Sequence, residues 1–413
     1  MLLALAFLVC SFVKPSRNYN CETKLKKVTA KDILGNPNYL AICYGGYRQK
    51  TRDIQPTLSQ VKQDLKILSA LNIKIIRTYN VHLDEISTIL KAITALKKEN
   101  SKFEMYVMLG AWIDCKNAWT NLEPIHDVES DRNAIEIDKA AQLANQYPEI
   151  IKIIAVGNEA MVKWATSYYV QPNVILKWVN YLQNLKKNNK LSKDVWITSS
   201  DDFASWGGGD DSYKTKDLED LVNAVDYVSM HTYPFHNSHH NPIFWKVPFN
   251  EQNFFEIDKI NAAMNRSFEF AKMQYNTVKN YVHSINPSKP VHIGETGWAS
   301  SSDGFYGTEG SRAADEYKQA LFYNAVRTWT KNEKIACFFF EAFDEPWKDS
   351  GNPFGPENHF GLFTVDGKAK YALWNIVDKK HFSALKRDKN NITKTYNGNS
   401  SELMKVVLTP PSH

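Results

Sequence analysis

Residues 150–160 read Ile-Ile-Lys-Ile-Ile-Ala-Val-Gly-Asn-Glu-Ala (IIKIIAVGNEA). From Ile150 to Val156 the run is apolar at odd and even positions alike, Lys152 excepted. A strand with one wet face alternates, so a continuous run of this kind belongs to a parallel strand covered on both sides. Gly157 ends it, and Asn158 and Glu159 follow where the chain leaves a dry wall.

Seven other short runs have the same character. They are Tyr39–Tyr44, Ile73–Tyr79, Phe103–Leu109, Val195–Ser199, Val225–Met230, Pro290–Ile293 and Ile335–Phe340. Helical patterns separate them. Thr57-Leu58-Ser59-Gln60 fits a capping box, and Val61, Leu65, Leu68 and Leu71 recur behind it at spacings of three and four. Residues 174–185 repeat that periodicity, and a last helix is expected at about Tyr371–Asp378. Eight strand–helix units predict an α/β fold, a (β/α)8 TIM barrel forming a single catalytic domain over 39–380. An open doubly wound sheet is the competing architecture, but no G-x-G-x-x-G follows the first strand.

The chain of 413 residues is 43% hydrophobic and 23% charged, which excludes a disordered or collagen-like polymer. Its net charge of +5 sits at the ends: residues 1–38 carry +4, residues 381–413 carry +3, and the middle is −2. A slightly acidic body suits a neutral ligand and argues against nucleic acid. Thirteen mostly apolar residues, 1–13, read as a signal peptide or apolar N-terminal segment, too short for a transmembrane span. Residues 14–38 read as a linker and 381–413 as a polar, disordered tail. The expectation is thus a protein secreted or held in the periplasm or at the cell surface, and a monomer. Five cysteines (10, 21, 43, 115, 337) lack C-x-x-C spacing, so neither a zinc site nor a disulfide framework is expected.

In such a barrel the strand ends share one mouth. The residues following the runs are Arg77-Thr78-Tyr79-Asn80, Gly110-Ala111-Trp112, Asn158-Glu159, His231-Thr232-Tyr233, Glu295-Thr296-Gly297-Trp298 and Glu341-Ala342-Phe343-Asp344-Glu345-Pro346-Trp347-Lys348. Aromatics, amides and carboxylates concentrate there, the chemistry of a sugar site. Glu159 and Glu295, after strands four and seven, are placed to flank one bond as a retaining glycosidase requires. The run His236–His240 lacks interleaved ligands at metal spacing and reads as a loop bordering the cleft; no metal or cofactor is expected.

The segments GNEA (157–160), TYPF (232–235), GETGW (294–298), FFFEAFDEPWK (338–348) and HFGLF (359–363) resemble glycoside hydrolase family 17, its bacterial and fungal branch, across roughly residues 39–378. The resemblance implies a β-1,3-glucanase or glucanosyltransferase with Glu159 as acid/base and Glu295 as nucleophile. It further implies that Tyr233 touches Glu295 and that Tyr79 and Asn158 line the reacting subsite. Trp298 and Trp347 are the candidate stacking platforms. Glu341, Asp344 and Glu345 either bind sugar hydroxyls or form an ion-pair cluster with Lys348. The expected activity is hydrolysis of a β-1,3-glucan polymer or oligosaccharide. A transglycosylase with the same residues, a non-catalytic glucan-binding barrel and a metal-dependent hydrolase are the alternatives.

Overall fold

The computed structural model describes residues 27–412. Eight parallel strands close into a barrel: β1 (Leu40–Cys43), β2 (Ile73–Arg77), β3 (Tyr106–Ala111), β4 (Ile151–Asn158), β5 (Trp196–Asp202), β6 (Val228–His231), β7 (Val291–Gly297) and β8 (Cys337–Phe340). Each strand pairs with its sequence neighbour, and β8 returns to β1, with Ala41 beside Phe338. The quoted run is enclosed on both faces: Ile151 through Val156 are buried along their whole length. Burying an aliphatic side chain of that size contributes about 1.5–3 kcal/mol, which is why this segment forms a central element.

Helices α1 (Leu58–Ala70), α2 (Glu85–Glu99), α3 (Arg132–Gln146), α4 (Pro172–Lys187), α5 (Lys216–Ala224), α6 (Glu256–Ile285), α7 (Glu316–Asn332) and α8 (Trp374–Asp378) follow the strands in turn. The capping box before α1 forms: the Gln60 amide donates to Thr57 Oγ1, and the Thr57 amide donates to Gln60 Oε1 at 3.0 Å. Two excursions enlarge the mouth. A short ribbon, Cys115–Lys116 against Ile125–Glu129, rises between β3 and α3. Residues 236–240, expected as a loop, belong instead to a short helix, Pro234–His240, after β6, because Pro234 at its first turn presets the backbone.

Strand limits differ from the sequence pattern where small polar residues continue an apolar run. β5 extends to Asp202 and β7 to Gly297, so Glu295 is a strand residue rather than one beyond it. β3 begins at Tyr106. Cys43, Cys115 and Cys337 are buried free thiols. No helix among the described residues is long and apolar enough to cross a membrane.

The proposed signal segment lies outside the described residues, as does the linker up to residue 26. Residues 27–38 contain a helical turn, Ala30–Ile33, with both end residues buried. The segment after 380, expected as a disordered tail, is instead laid against the barrel. Phe382, Ile392 and Leu403 are buried. Arg387, wholly enclosed, pairs with Asp64 at 3.0 Å and covers the Phe343 ring at 4.0 Å. A few widely spaced apolar residues and one arginine with a buried acid waiting for it supply the anchoring that mean composition conceals.

Candidate active site

Gly157 takes φ +82, and a side chain there would meet Ala160 and Ile175. The turn it permits throws the next residues toward the barrel axis. Glu159 sits at φ +43, a left-handed conformation that costs a non-glycine residue energy and is held by its amide donating to Ser200 O at 2.9 Å. Such outliers gather where geometry matters more than local stability.

Across the mouth, Glu295 projects inward from β7, 5% exposed. Its Oε1 accepts from Arg77 Nη1 at 2.6 Å and its Oε2 from the Tyr233 hydroxyl at 2.7 Å. Arg77, the last residue of β2 and 1% exposed, also donates to Asn158 Oδ1 (2.6 Å) and Gly294 O (2.9 Å). His231 closes the group. Its Nε2 lies 3.2 Å from Arg77 Nη1 and 2.8 Å from Ser200 Oγ. A guanidinium can only donate, so Nε2 accepts and the ring proton resides on Nδ1, which donates to Glu159 Oε1 at 2.9 Å. Gly294 makes this packing feasible: a Cβ there would fall 2.2 Å from Ser229 Oγ and 2.4 Å from Ser200 Oγ.

Carboxylate oxygens of Glu159 and Glu295 and a ring nitrogen of His231 lie within 4.8 Å of one another. Yet the two acids have opposite proton affinities. Burial, reinforced by the charge of Glu295 and then of Asp202, raises the Glu159 carboxyl well above its ordinary value. Burial also opposes ionisation of Glu295, but the Arg77 guanidinium and the Tyr233 hydroxyl that bond it hold that carboxyl below the usual range. Burial lowers His231 to about 4, so it is neutral at ordinary pH and the standing positive charge beside Glu295 is the guanidinium of Arg77. The Glu159 side chain stays 21% exposed, open to the cleft. Three donors of this kind could ligate a metal, but a guanidinium already shares the centre and supplies its positive charge.

A cleft of about 1450 Å³ surrounds the pair. Tyr79, Asn158, Tyr233, Trp347 and Lys348 all line it, joined by Trp112, Trp119 and Trp164. Three expected sugar contacts, Trp298, Asp344 and Glu341, do not reach it. Trp298 is fully buried among Phe235, Trp245 and Phe322, its indole N–H donating to Ala313 O at 2.8 Å. The strand's alternation points it away from the axis. Asp344 accepts from Lys370 Nζ (2.7 Å) and the Gly361 amide (3.0 Å), behind the cleft wall. Glu341, 1% exposed, is outside the lining and pairs with Lys348 at 2.8 Å, the ion-pair alternative. Arg77 and His231 carried no role in the sequence reading. The signal for Arg77 was a charge inside the apolar run Ile73–Tyr79, which burial obliges to find partners.

A closed parallel barrel that sets a protonated and an ionised carboxyl together on the floor of an aromatic cleft is the framework of a barrel glycosidase. The model of the BtgE/BtgC glycoside hydrolase domain matches residues 41–361, and the chain belongs to this family. The crystal structure of an endo-laminarinase from Formosa Hel1_33_131 is 61% identical and superposes with a TM-score of 0.93, covering 94% of this chain and 98% of that one. A glucan 1,3-beta-glucosidase of Arthroderma benhamiae is 39% identical over 283 residues, 66% of this chain and 73% of its own length. A beta-1,3-glucanosyltransferase from Rhizomucor miehei (TM-score 0.55, 20% identity, 81% of this chain and 96% of that one) shares the fold. The chain spans only 37% of the putative glucan endo-1,3-beta-glucosidase btgC of Aspergillus niger, to which it is 24% identical over 73% of its own length.

Proposed function

We propose that the chain is a retaining endo-hydrolase of β-1,3-glucan, a member of glycoside hydrolase family 17, working outside the cytoplasm where such polymers lie. The observation that carries the mechanism is the pairing of two carboxyls within 4.8 Å with opposite proton affinities. Retaining glycosidases hold their carboxyls about 5–5.5 Å apart, whereas inverting ones leave roughly 6.5–9.5 Å for a water. Glu295, ionised and held by Arg77 and Tyr233, attacks the anomeric carbon. Glu159, protonated and facing the cleft, gives its proton to the departing oxygen, so the bond breaks as the glycosyl ester to Glu295 forms. Glu159 then takes a proton from water, which attacks the anomeric carbon and frees Glu295. Asn158, held by Arg77, would bind the 2-hydroxyl of the reacting sugar, with Tyr79 and Trp347 on the lining of the same cleft. The names of the Formosa and Arthroderma relatives support the β-1,3 linkage.

The test is incubation with linear β-1,3-, β-1,4- and mixed-linkage glucans, following product size and anomeric form. Rapid internal cleavage of the β-1,3 polymer with β-anomers released first is expected. Preferential cleavage of the β-1,4 polymer, or initial α-anomers, would overturn the reading. Products longer than the substrate would identify a transferase instead.

A further inference from the structure

A second cavity of about 520 Å³ lies behind the cleft wall, within the size range of small-molecule sites. The wall is one layer thick. Trp347, Lys348, Glu357 and Phe360 face the cleft, while their neighbours Pro346, Asn358 and His359 face the other chamber. The loops after β7 and β8 and the C-terminal segment build it together.

Its charges are arranged unevenly. The three acids on its lining are tied into the walls: Asp315 to Lys318, Glu316 to the Tyr371 amide and Thr395 Oγ1, and Asp344 to Lys370. Lys50 and Arg312, also on the lining, have no acidic partner among the described residues; Arg312 donates only its Nε, to Thr308 O at 3.0 Å. Two lining residues are held in left-handed backbone, Arg312 at φ +58 and Tyr396 at φ +49. For a tyrosine that conformation is a genuine outlier. Tyr396 is 36% exposed and lies on the chamber's lining. Ser301 and Thr308 supply hydroxyls beside two prolines, while Ser300 Oγ is taken up by His359 O and Lys370 and Ser302 Oγ by Asp303 O.

The Tyr396 ring, the unpaired donors of Lys50 and Arg312 and the Ser301 and Thr308 hydroxyls make a site for a neutral sugar, because pyranose rings present apolar faces and hydroxyl edges together. We infer that this chamber is a second oligosaccharide-binding site, separate from the cleft, that holds a neighbouring segment of β-glucan while the cleft works. The ligand's linkage rests on the β-1,3-glucan reading; the existence of the site does not.

The experiment uses the full chain carrying Glu295→Gln, which leaves the cleft able to bind without turnover. Calorimetric titration with laminarihexaose is expected to show a second, weaker equivalent of ligand. Tyr396→Ala and Arg312→Ala, each added to that background, should weaken the second equivalent roughly tenfold and leave the first unchanged. Melting curves identify any variant that fails to fold, and Lys50→Gln, at an exposed position, provides an independent substitution. One equivalent, indifferent to all three substitutions, would overturn the second site and leave the proposed function standing. No binding of laminarihexaose at either place would overturn both. A second equivalent seen with a sulfated oligosaccharide but not with the neutral one would overturn the sugar assignment in favour of an anion.

Discussion

Two glutamates with identical side chains are driven to different protonation states by what surrounds them. Glu159 must be protonated for the first chemical step, so activity should fall as pH rises through its raised pKa. Glu295 must be ionised, so activity should fall as pH drops through its lowered one. The profile of kcat/KM is therefore expected to be bell-shaped, with the alkaline limb belonging to Glu159. Glu159→Gln should cost about 10²–10⁴-fold in kcat on glucan and abolish that limb. Arg77 provides the sharper check. Removing a guanidinium 2.6 Å from Glu295 should raise that carboxyl's pKa by roughly 1–3 units. Arg77→Met should thus move the acid limb to higher pH, while Arg77→Lys should hold it near its original place. An acid limb unmoved in Arg77→Met would show that the guanidinium does not govern Glu295. That Glu159 and Glu295 reach the mouth can be read from sequence because each comes at the end of an apolar run, although Glu295 still belongs to β7. The place of His231 cannot, since a histidine at a strand end looks the same whether it bridges two carboxyls or simply faces solvent.

At the scale of elements, the runs of buried residues and the capping box before α1 were readable because strand burial and helix capping are local rules. The orientation of Trp298 was not. GETGW reads as a mouth motif, yet the alternation of β7 sends Glu295 inward, and Trp298, just beyond the strand, lies in the core. The C-terminal segment reads as a tail in sequence for a different reason: its anchor is a long-range pair. Asp64 in α1 accepts from Arg387, Arg48 and the Tyr44 hydroxyl, and the Asp64 and Arg387 side chains are completely enclosed. Removing one member of a buried pair is expensive because the partner keeps its desolvation cost. Arg387→Ala should destabilise the protein by about 3 kcal/mol, at the lower end for a buried pair because Arg48 still meets Asp64. Denaturant or thermal unfolding measures it. A loss within about 0.5 kcal/mol, ordinary for surface sites, would mean the segment is merely draped on the barrel.

On the scale of the whole molecule, closure of the barrel brings strand ends that are far apart in sequence to one centre, and the charge there nearly cancels. Arg77 offsets ionised Glu295, Glu159 keeps its proton, and His231 is neutral. A divalent cation entering among Glu159, His231 and Glu295 would have to displace or face a guanidinium already bound to one of its ligands. It would also ionise Glu159 and remove the proton that the departing oxygen needs. Dialysis against a strong chelator should therefore leave the rate on β-1,3-glucan unchanged, and added zinc or manganese should leave it unchanged or inhibit. Loss of activity on chelation, restored by one added metal, would replace the two-carboxylate mechanism with a metal-assisted one. Salt gives a companion check on the same balance. A neutral polymer gains nothing from long-range attraction, so kcat/KM should vary little between about 0.01 and 0.15 M ionic strength, across which the screening length shrinks from roughly 30 to 8 Å. A steep decline over that range would point to an anionic substrate drawn in by the cations at the mouth.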